Sequence, residues 1–416
     1  MEERMYYKKR MLIVSYDNIC IFSIALYFFY LLSRKIINSI GFGNNYVSYL
    51  FLLLAYVLLF FIVLMKRTKA LIASLTLLLF VFIVCLFSYF IHPENGNIIK
   101  QVFAFQYGIS IVPFLCAIDN KDTMKKIVFV YCFITFLSCI FGMVTFFRNG
   151  GYFVSNVGNS VIHLSYNMTI GYEGVISGLL FIWIYKSSNK IFYLIFSIVA
   201  IGISLVWGSR GCLLCYAIYL IIFILTQKPS RKILYMSLVI ILLLIVFIVI
   251  GIENVISLFL KIFSILGFSS RNFSGFTSFS SFINNDSGRR IIWNYLLEKV
   301  WEKPIVGYGI RGDNTLLSLY TGTTTFYSHN IFLELVVSFG IPVGMLLVLF
   351  LFQLIYRSIK RCPKELFGAF ICMISYNIGN LIVSNTFWFS TGFWIMIGMS
   401  IYFNCNYQKY SDTEIS

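Results

Sequence analysis

Apolar runs of about 20 residues recur along the whole length of this 416-residue chain. Wound as an α-helix, a run of that length crosses the roughly 30 Å hydrocarbon core of a bilayer. With 59% hydrophobic and 12% charged residues, the composition lies outside the range of soluble domains. We therefore predict an all-α, polytopic integral membrane protein with about twelve transmembrane helices in a single domain, residues 1–416. The predicted spans lie near residues 12–33, 46–65, 70–91, 98–118, 126–147, 170–185, 190–207, 211–227, 232–252, 331–356, 365–384 and 388–404.

The distribution of lysine and arginine predicts the orientation of the chain, because cytoplasmic loops of membrane proteins carry an excess of these residues. Most of the 32 lysines and arginines fall in alternate inter-span segments that include the N-terminal one, and the other short loops hold few. We therefore predict that both termini are cytoplasmic and that residues 253–330 form one long extracytoplasmic loop. The same bias explains most of the net charge of +16, so nucleic-acid binding is not expected.

The long loop, residues 253–330, interrupts the pattern of membrane spans. Residues 255–268 are apolar but too short to cross a bilayer comfortably, so we expect them to lie in the membrane interface. After a segment rich in serine, asparagine and glycine, a helix is predicted at about 288–302, ended by Pro304 and the glycines that follow. The loop is therefore predicted to carry inserted interfacial helices.

Two adjacent arginines, Arg289 and Arg290, stand in the first turn of the helix predicted at 288–302. Cations at a helix N-terminus oppose the helix dipole, so the stability of the helix does not explain them. Two guanidinium groups beside free backbone N–H groups form a good site for a phosphate or diphosphate. The sequence leaves open an alternative, in which both arginines are exposed and contact lipid headgroups.

Arg210 lies between Gly208 and Gly211, at the predicted outer end of a hairpin of two membrane helices. Glycine allows the backbone to turn tightly and to approach a ligand, so Arg210 is a candidate for a second contact to an anionic substrate. An arginine at the membrane edge can also extend its charge to the headgroups, and this alternative stays open. Arg148 and Arg311 are weaker candidates of the same kind.

His329, one of only three histidines, follows the long polar loop and precedes the predicted span at 331–356. A histidine titrates near neutral pH and can exchange protons in catalysis. Asn330 and Glu334 are four residues apart and share a helix face, and a carboxylate inside the membrane boundary is costly unless it is paired or used. We therefore predict that His329, Asn330 and Glu334 form a catalytic group, with a capping or interfacial histidine as the alternative. Glu173 is a further intramembrane carboxylate, for which the sequence suggests no partner.

Three segments, taken together, resemble the O-antigen ligase and polymerase family of membrane glycosyltransferases. They occur in a fixed order and on the predicted outer face, within residues 190–350 or so. Each segment alone is weakly specific, whereas their order, spacing and placement are more so. The segments are GSRG at 208–211; GRRIIW at 288–293 with KPIVGYG at 303–309; and SHNIFLE at 328–334 with GIPVG at 340–344.

The resemblance implies a reaction at the outer face of the bacterial cytoplasmic membrane. The donor would be an oligosaccharide on undecaprenyl diphosphate, and an acceptor sugar hydroxyl would attack its anomeric carbon. Arg210 with Arg289 or Arg290 would hold the diphosphate, and His329 would orient or deprotonate the hydroxyl, supported by its two neighbours in the catalytic group. No metal or other cofactor is expected, since the outer loops lack clusters with ligand spacing. The expected partners are the lipid-linked oligosaccharide, membrane lipids, a flippase and chain-length regulator proteins.

Polymerase and ligase share this layout, and from the sequence we favour a polymerase that joins repeat units of O-antigen, capsule or exopolysaccharide. The first alternative is a ligase that moves finished glycan to lipid A core or to protein. The second is a flippase or transporter, which predicts charged residues at mid-membrane, whereas the candidate residues gather at the outer face. The third is a structural membrane subunit, which leaves the group at 289–334 unexplained.

Overall fold

A bundle of helices makes up most of the chain. The computed structural model describes residues 16–40, 46–65, 67–102, 108–157, 160–164, 167–245, 261, 288–322 and 327–411. The helices are α1 (Tyr16–Ile40), α2 (Tyr46–Met65), α3 (Lys69–Ile91), α4 (Gly96–Val102), α5 (Val112–Cys116), α6 (Lys121–Arg148), α7 (Met168–Ser188), α8 (Ile191–Trp207), α9 (Arg210–Leu225), α10 (Pro229–Ile245), α11 (Arg289–Glu302), α12 (Gly312–Thr321), α13 (Ile331–Arg361), α14 (Lys364–Val383) and α15 (Thr391–Ser411), and the strands are β1 (Phe153–Val157) and β2 (Ser160–Leu164).

Seven of the helices in the described part of the chain are long and apolar enough to cross a bilayer, namely α1, α2, α3, α6, α7, α13 and α14. Two further apolar helices, α8 and α9, are shorter. This pattern confirms the predicted class, an all-helical polytopic membrane protein.

The span predicted at 98–118 is not one long helix. Over the residues described there, the chain forms the short helix α4, a 3₁₀ turn at Gly108–Ile111 and the short helix α5. Pro113 lies in the first turn of α5, where its missing N–H costs nothing, but it prevents a longer helix from running through this point.

The helix predicted at 288–302 is confirmed as α11, and its N-cap is Gly288 in the left-handed conformation. The interfacial segment predicted at 255–268 lies outside the described residues apart from position 261. The extracytoplasmic placement of the loop at 253–330 and the single domain therefore stay predictions.

A small antiparallel hairpin of β1 and β2 connects α6 to α7, which the sequence did not predict. Its register pairs Phe153 with Leu164 and Val157 with Ser160. The rest of the described chain is built from helices and turns, so the hairpin does not alter the fold class.

Glycines allow α7 to approach its neighbours closely, which fixes the position of the turn at 208–211. A Cβ on Gly174 would lie 2.7 Å from the Ala200 carbonyl oxygen, and a Cβ on Gly171 would overlap the backbone of Gly208. Small residues at such spacing let membrane helices pack through their backbones. The start of α9 is therefore held against the start of α7.

The chain folds back on itself within α13, at Gly340, which has φ 75° and ψ 169°. A Cβ on Gly344 would lie 2.9 Å from the Val336 Cα, although eight residues of continuous helix would separate such positions by about 12 Å. Residues 331–339 thus form a short arm that lies against the beginning of a long arm, residues 341–361. The sequence indicated an interruption here, but one long span was predicted.

The backbone groups released at this break pair with the turn at 304–309. The Val337 carbonyl, which in a continuous helix would accept from the Ile341 amide, accepts from the Tyr308 amide at 2.8 Å. The Ile341 amide donates instead to the Pro304 carbonyl at 2.7 Å. The Gly309 amide donates to the Ser338 carbonyl at 3.0 Å. In a continuous helix that carbonyl would face residue 342, a proline without an N–H. The turn therefore replaces the bonds that the break removes.

The turn also docks α11 on the short arm. Ile292, Leu296 and Val300 form one buried stripe of α11 and pack with Val337 of the short arm and Leu317 of α12. The spacing of three and four residues places all three on one face. Arg289 is on the same face one turn earlier, which directs it to the beginning of the short arm.

Candidate active site

His329 lies just before the short arm, with its backbone in the left-handed region at φ 54°. Its Nδ1 is 3.3 Å from the Ser384 carbonyl oxygen, and its ring packs against that of Tyr327, with centroids 4.1 Å apart and planes tilted by 41°. The Tyr327 hydroxyl donates to the same carbonyl at 2.8 Å. Because a carbonyl only accepts, this contact assigns the proton of the neutral ring to Nδ1 and leaves Nε2 as the basic nitrogen.

Burial, and after it the nearby Arg289 guanidinium, lowers the pKa of His329 to about 4. Both causes disfavour the imidazolium, since burial removes water and a like charge repels it. The ring is therefore neutral near pH 7 and able to accept a proton. Arg289 is thus within electrostatic range of His329, as a joint site would require.

The loop that carries His329 is fixed on both sides of the residue. The Ser328 amide donates to Asp313 Oδ2 at 2.9 Å, and the Ser328 carbonyl accepts from Trp293 Nε1 at 2.8 Å. Asn330 is the N-cap of the short arm, where its Oδ1 accepts from the two backbone amides that follow in the first turn. A left-handed non-glycine residue costs roughly 1–2 kcal/mol, and these contacts offset that cost.

Glu334 is fully buried and belongs to an ion pair that the sequence did not reveal. Its Oε1 accepts from Thr386 Oγ1 at 2.5 Å and lies 3.5 Å from Arg311 Nη1. Arg311 Nη1 donates to Thr386 Oγ1 at 3.1 Å, and its guanidinium lies over the Phe389 ring. Arg311, predicted as a weaker substrate contact, is thus enclosed in the protein as the partner of Glu334.

Asn330 and Glu334, predicted to share a helix face and to form a catalytic group with His329, make separate contacts in the structure. Asn330 caps its own helix, whereas Glu334 joins the short arm to the turn at 384–389. Each therefore positions the helix that His329 precedes.

Arg210 is the first residue of α9. The next residue, Gly211, packs on Ser384, whose carbonyl contacts the His329 ring. A Cβ on Gly211 would overlap the Tyr172 hydroxyl and would lie 3.0 Å from Ser384 Oγ. The Tyr172 hydroxyl donates to Ser384 Oγ at 2.5 Å. Arg210 is therefore one residue from the group of contacts around Ser384.

Arg290 differs from Arg289 in its position on α11. It is exposed, and the helical spacing turns it about 100° away from the buried stripe that Arg289 continues. Of the two arginines, Arg289 is the one that the structure brings to His329.

Glu173 has a partner after all, at the start of α7. Lys35 Nζ lies 2.7 Å from Glu173 Oε2, and the Ser138 hydroxyl donates to Glu173 Oε1 at 2.9 Å. The pair joins α1, α6 and α7 next to Tyr172. It satisfies a carboxylate that the sequence analysis left unexplained.

The turn at 384–389 is the element that sequence reasoning missed. Ser384 contacts the His329 ring and the Gly211 backbone, and Thr386 contacts Glu334. A polar Ser-Asn-Thr run between two apolar helices was the available signal. Around this turn the fold gathers a neutral imidazole, cationic Arg289 and the start of α9, an arrangement that can bind an anion and accept a proton beside it.

Comparison with known proteins finds a match over the same part of the chain. Residues 195–349 match the family model described as O-antigen ligase. A protein of Rickettsia conorii named as a polysaccharide ligase is 30% identical over 129 residues, which cover 27% of this chain and 31% of that protein. The ComP-specific O-oligosaccharyltransferase of Acinetobacter baylyi is 32% identical over 132 residues, which cover 29% of this chain and 23% of that protein.

The match with this chain thus covers a third or less of the length of each of these relatives. The match at 195–349 contains all three segments that carry the resemblance. The predicted resemblance to the O-antigen ligase and polymerase family is confirmed.

Proposed function

We propose that this protein is a membrane glycosyltransferase of the ligase type, which transfers a finished glycan from a polyprenyl-diphosphate carrier to an acceptor hydroxyl. The observation that carries the proposal is the neutral imidazole of His329, with Nε2 as its base, beside the cation of Arg289. The polymerase favoured from the sequence has weaker support, because the matching family model and the matched relatives bear ligase and transferase names.

In the proposed reaction the acceptor hydroxyl gives its proton to His329 Nε2 as its oxygen attacks the anomeric carbon of the donor. A new C–O bond forms, and the bond between the anomeric carbon and the diphosphate oxygen breaks. Arg289 and Arg210 hold the diphosphate and stabilise the negative charge of the leaving lipid diphosphate. Arg290 adds a cation at the exposed side of α11.

Glu334 and Asn330 position His329 in this mechanism and do not contact the acceptor. Glu334 ties the short arm to Thr386, and Asn330 caps that arm. A helix fixed at both points holds the preceding histidine in its left-handed conformation. Geometry fixed in advance lowers the entropic part of the barrier.

The proposal also specifies a setting. The protein lies in the bacterial cytoplasmic membrane with both termini in the cytoplasm, and the site faces outward. Its donor is an undecaprenyl-diphosphate-linked oligosaccharide, delivered by a flippase, and the reaction needs no cofactor. If the product is O-antigen or capsule built by a separate polymerase, a chain-length regulator acts upstream.

The test is the polysaccharide of a strain deleted for this gene, complemented with wild type, His329→Gln, Arg289→Gln or Arg357→Gln. Arg357 is exposed near the end of the long arm of α13, away from the short arm that His329 precedes, so its variant is the matched control. We expect full-length polymer to remain on the lipid carrier in the deletion strain and in the first two variants. Normal transfer in the His329 variant would overturn the mechanism.

Other outcomes of the same experiment distinguish the remaining functions. Loss of the polymer ladder, with single repeats still transferred to the final acceptor, would identify a polymerase. Lipid-linked repeats trapped on the cytoplasmic side would identify a flippase and remove the catalytic role of His329.

A further inference from the structure

Large apolar side chains are exposed along one edge of α11 and the turn that follows it. Trp301 is 73% exposed, Ile305 71% and Val306 62%, and Leu297 lies one turn before Trp301. These four residues are called the apolar edge below. Such a contiguous exposed patch marks a surface that meets another apolar phase.

In the last two turns of α11 the opposite flank of its exposed half is charged, whereas nearer the start of the helix that flank carries Ile291, which is 61% exposed. Glu298 and Glu302 lie in the charged part, and Lys299 Nζ is 2.6 Å from Glu302 Oε1. The Tyr308 hydroxyl donates to Glu302 Oε2 at 3.0 Å. Apolar and charged flanks on one helix are typical of an element lying in the membrane interface plane.

Backbone bonds fix the depth of the apolar edge relative to the membrane. The Pro304 carbonyl accepts from the Ile341 amide, the first residue of the long arm. The long arm, residues 341–361, and the 20-residue α14 each extend about 30 Å, the thickness of the hydrocarbon core. The two helices are joined at residues 362–363, at one boundary of the membrane. Their other ends, Ile341 and Ser384, therefore both lie at the opposite boundary.

The exposure of the side chains of α13 changes at Gly340, which is at this same membrane boundary. In the short arm, residues 331–339, Phe332 is exposed and the other residues are buried or half-buried in the protein. Beyond Gly340 the long arm presents an exposed apolar face, as a lipid-facing helix does. That face consists of Val343, Met345, Leu346, Leu349, Phe350 and Phe352.

We propose that the apolar edge is an interfacial anchor, which inserts into the boundary between headgroups and acyl chains on the His329 side of the membrane. Its partner is the lipid bilayer itself. The charged flank with Glu298 faces water, and Trp301 takes the headgroup level that tryptophan favours. The anchor holds α11, and with it Arg289, at the level of the lipid phosphates. This inference stands independently of the proposed function.

The test compares neighbouring positions on the two flanks of α11 in the full-length protein in lipid nanodiscs. In a background with the partly exposed Cys362 and Cys405 replaced by serine, Leu297→Cys and Glu298→Cys, each carrying a nitroxide, are matched positions on one helix turn, and Ile305→Cys probes the turn that follows α11. Collision rates with oxygen and with a water-soluble nickel complex report depth. We expect a several-fold higher oxygen-to-nickel ratio at 297 and 305 than at 298. Equal ratios at all three positions would overturn the anchor.

A second measurement covers the case in which a labelled variant fails to fold. Tryptophan fluorescence of wild type and Trp301→Phe is compared in nanodiscs whose lipids carry bromine near the headgroup end of the acyl chain. We expect the quenched fraction to fall in the variant, because the most accessible indole is removed. An unchanged quenched fraction would place Trp301 in water and contradict the proposal.

Discussion

Replacement of Gly340 by alanine should release the turn at 304–309 from the broken helix. Gly340 has φ 75° and ψ 169°, a region that only glycine adopts readily, so alanine there costs about 1–3 kcal/mol. Its Cβ would also overlap the Ile305 carbonyl, which is backbone and cannot rotate away. If the turn separates, three backbone hydrogen bonds are lost at about 1 kcal/mol each. The total destabilisation is about 5 kcal/mol, large for a single methyl group.

Gly202→Ala is the matched control for Gly340→Ala. Gly202 lies within α8, and no atom other than its neighbours stands within 4 Å of the position of an added Cβ. Alanine is favoured over glycine in a helix by about 0.5–1 kcal/mol, so this variant should be as stable as wild type or more so.

The assay is thermal unfolding of the purified protein in detergent, followed by the loss of the monodisperse peak. We expect Gly340→Ala to melt well below wild type and to lose transfer activity, because α11 and Arg289 depend on the docked turn. Equal melting temperatures of the two alanine variants would refute the account of the break.

Three further predictions concern the site. Arg289→Gln removes a cation that lowers the pKa of His329, so in an NMR titration of ring-labelled histidine that pKa should rise above its value of about 4; an unmoved pKa excludes this electrostatic coupling. Glu334→Leu leaves the Arg311 cation buried and unpaired, which should cost about 3–5 kcal/mol in thermal stability, and adding Arg311→Met should recover most of it. Asp313→Ala releases the amide that precedes His329, so kcat should fall while KM stays near wild type; a change confined to KM contradicts a positioning role.

The sequence was sufficient to predict the features that depend on local patterns. The lengths of the apolar runs predicted most spans, such as α6 and α7, within a few residues. The spacing of apolar residues together with Pro304 predicted α11. Arg289 and His329 were recognised because their chemistry is unusual at those places, and the structure brings them together.

Features that depend on distant contacts could not be predicted. Lys35 and Glu173 are 138 residues apart, and no periodicity links them. The sequence around Gly340 indicated an interruption, but whether the helix kinks or folds back depends on the turn at 304–309 that binds there. The span expected at 98–118 failed because hydropathy measures apolar length and ignores a proline that limits the helix.

The contact between His329 and Ser384 has a consequence for the biosynthesis of the protein. The carbonyl that accepts from the imidazole is synthesised 55 residues after the histidine, at the end of α14. The short arm and the turn at 304–309 can dock as soon as the long arm has entered the membrane, but the imidazole has no acceptor until α14 has been inserted as well. During translation the loop that carries His329 therefore stays without its contact to Ser384 until α14 has been inserted, and a chain that ends before Ser384 lacks this contact altogether.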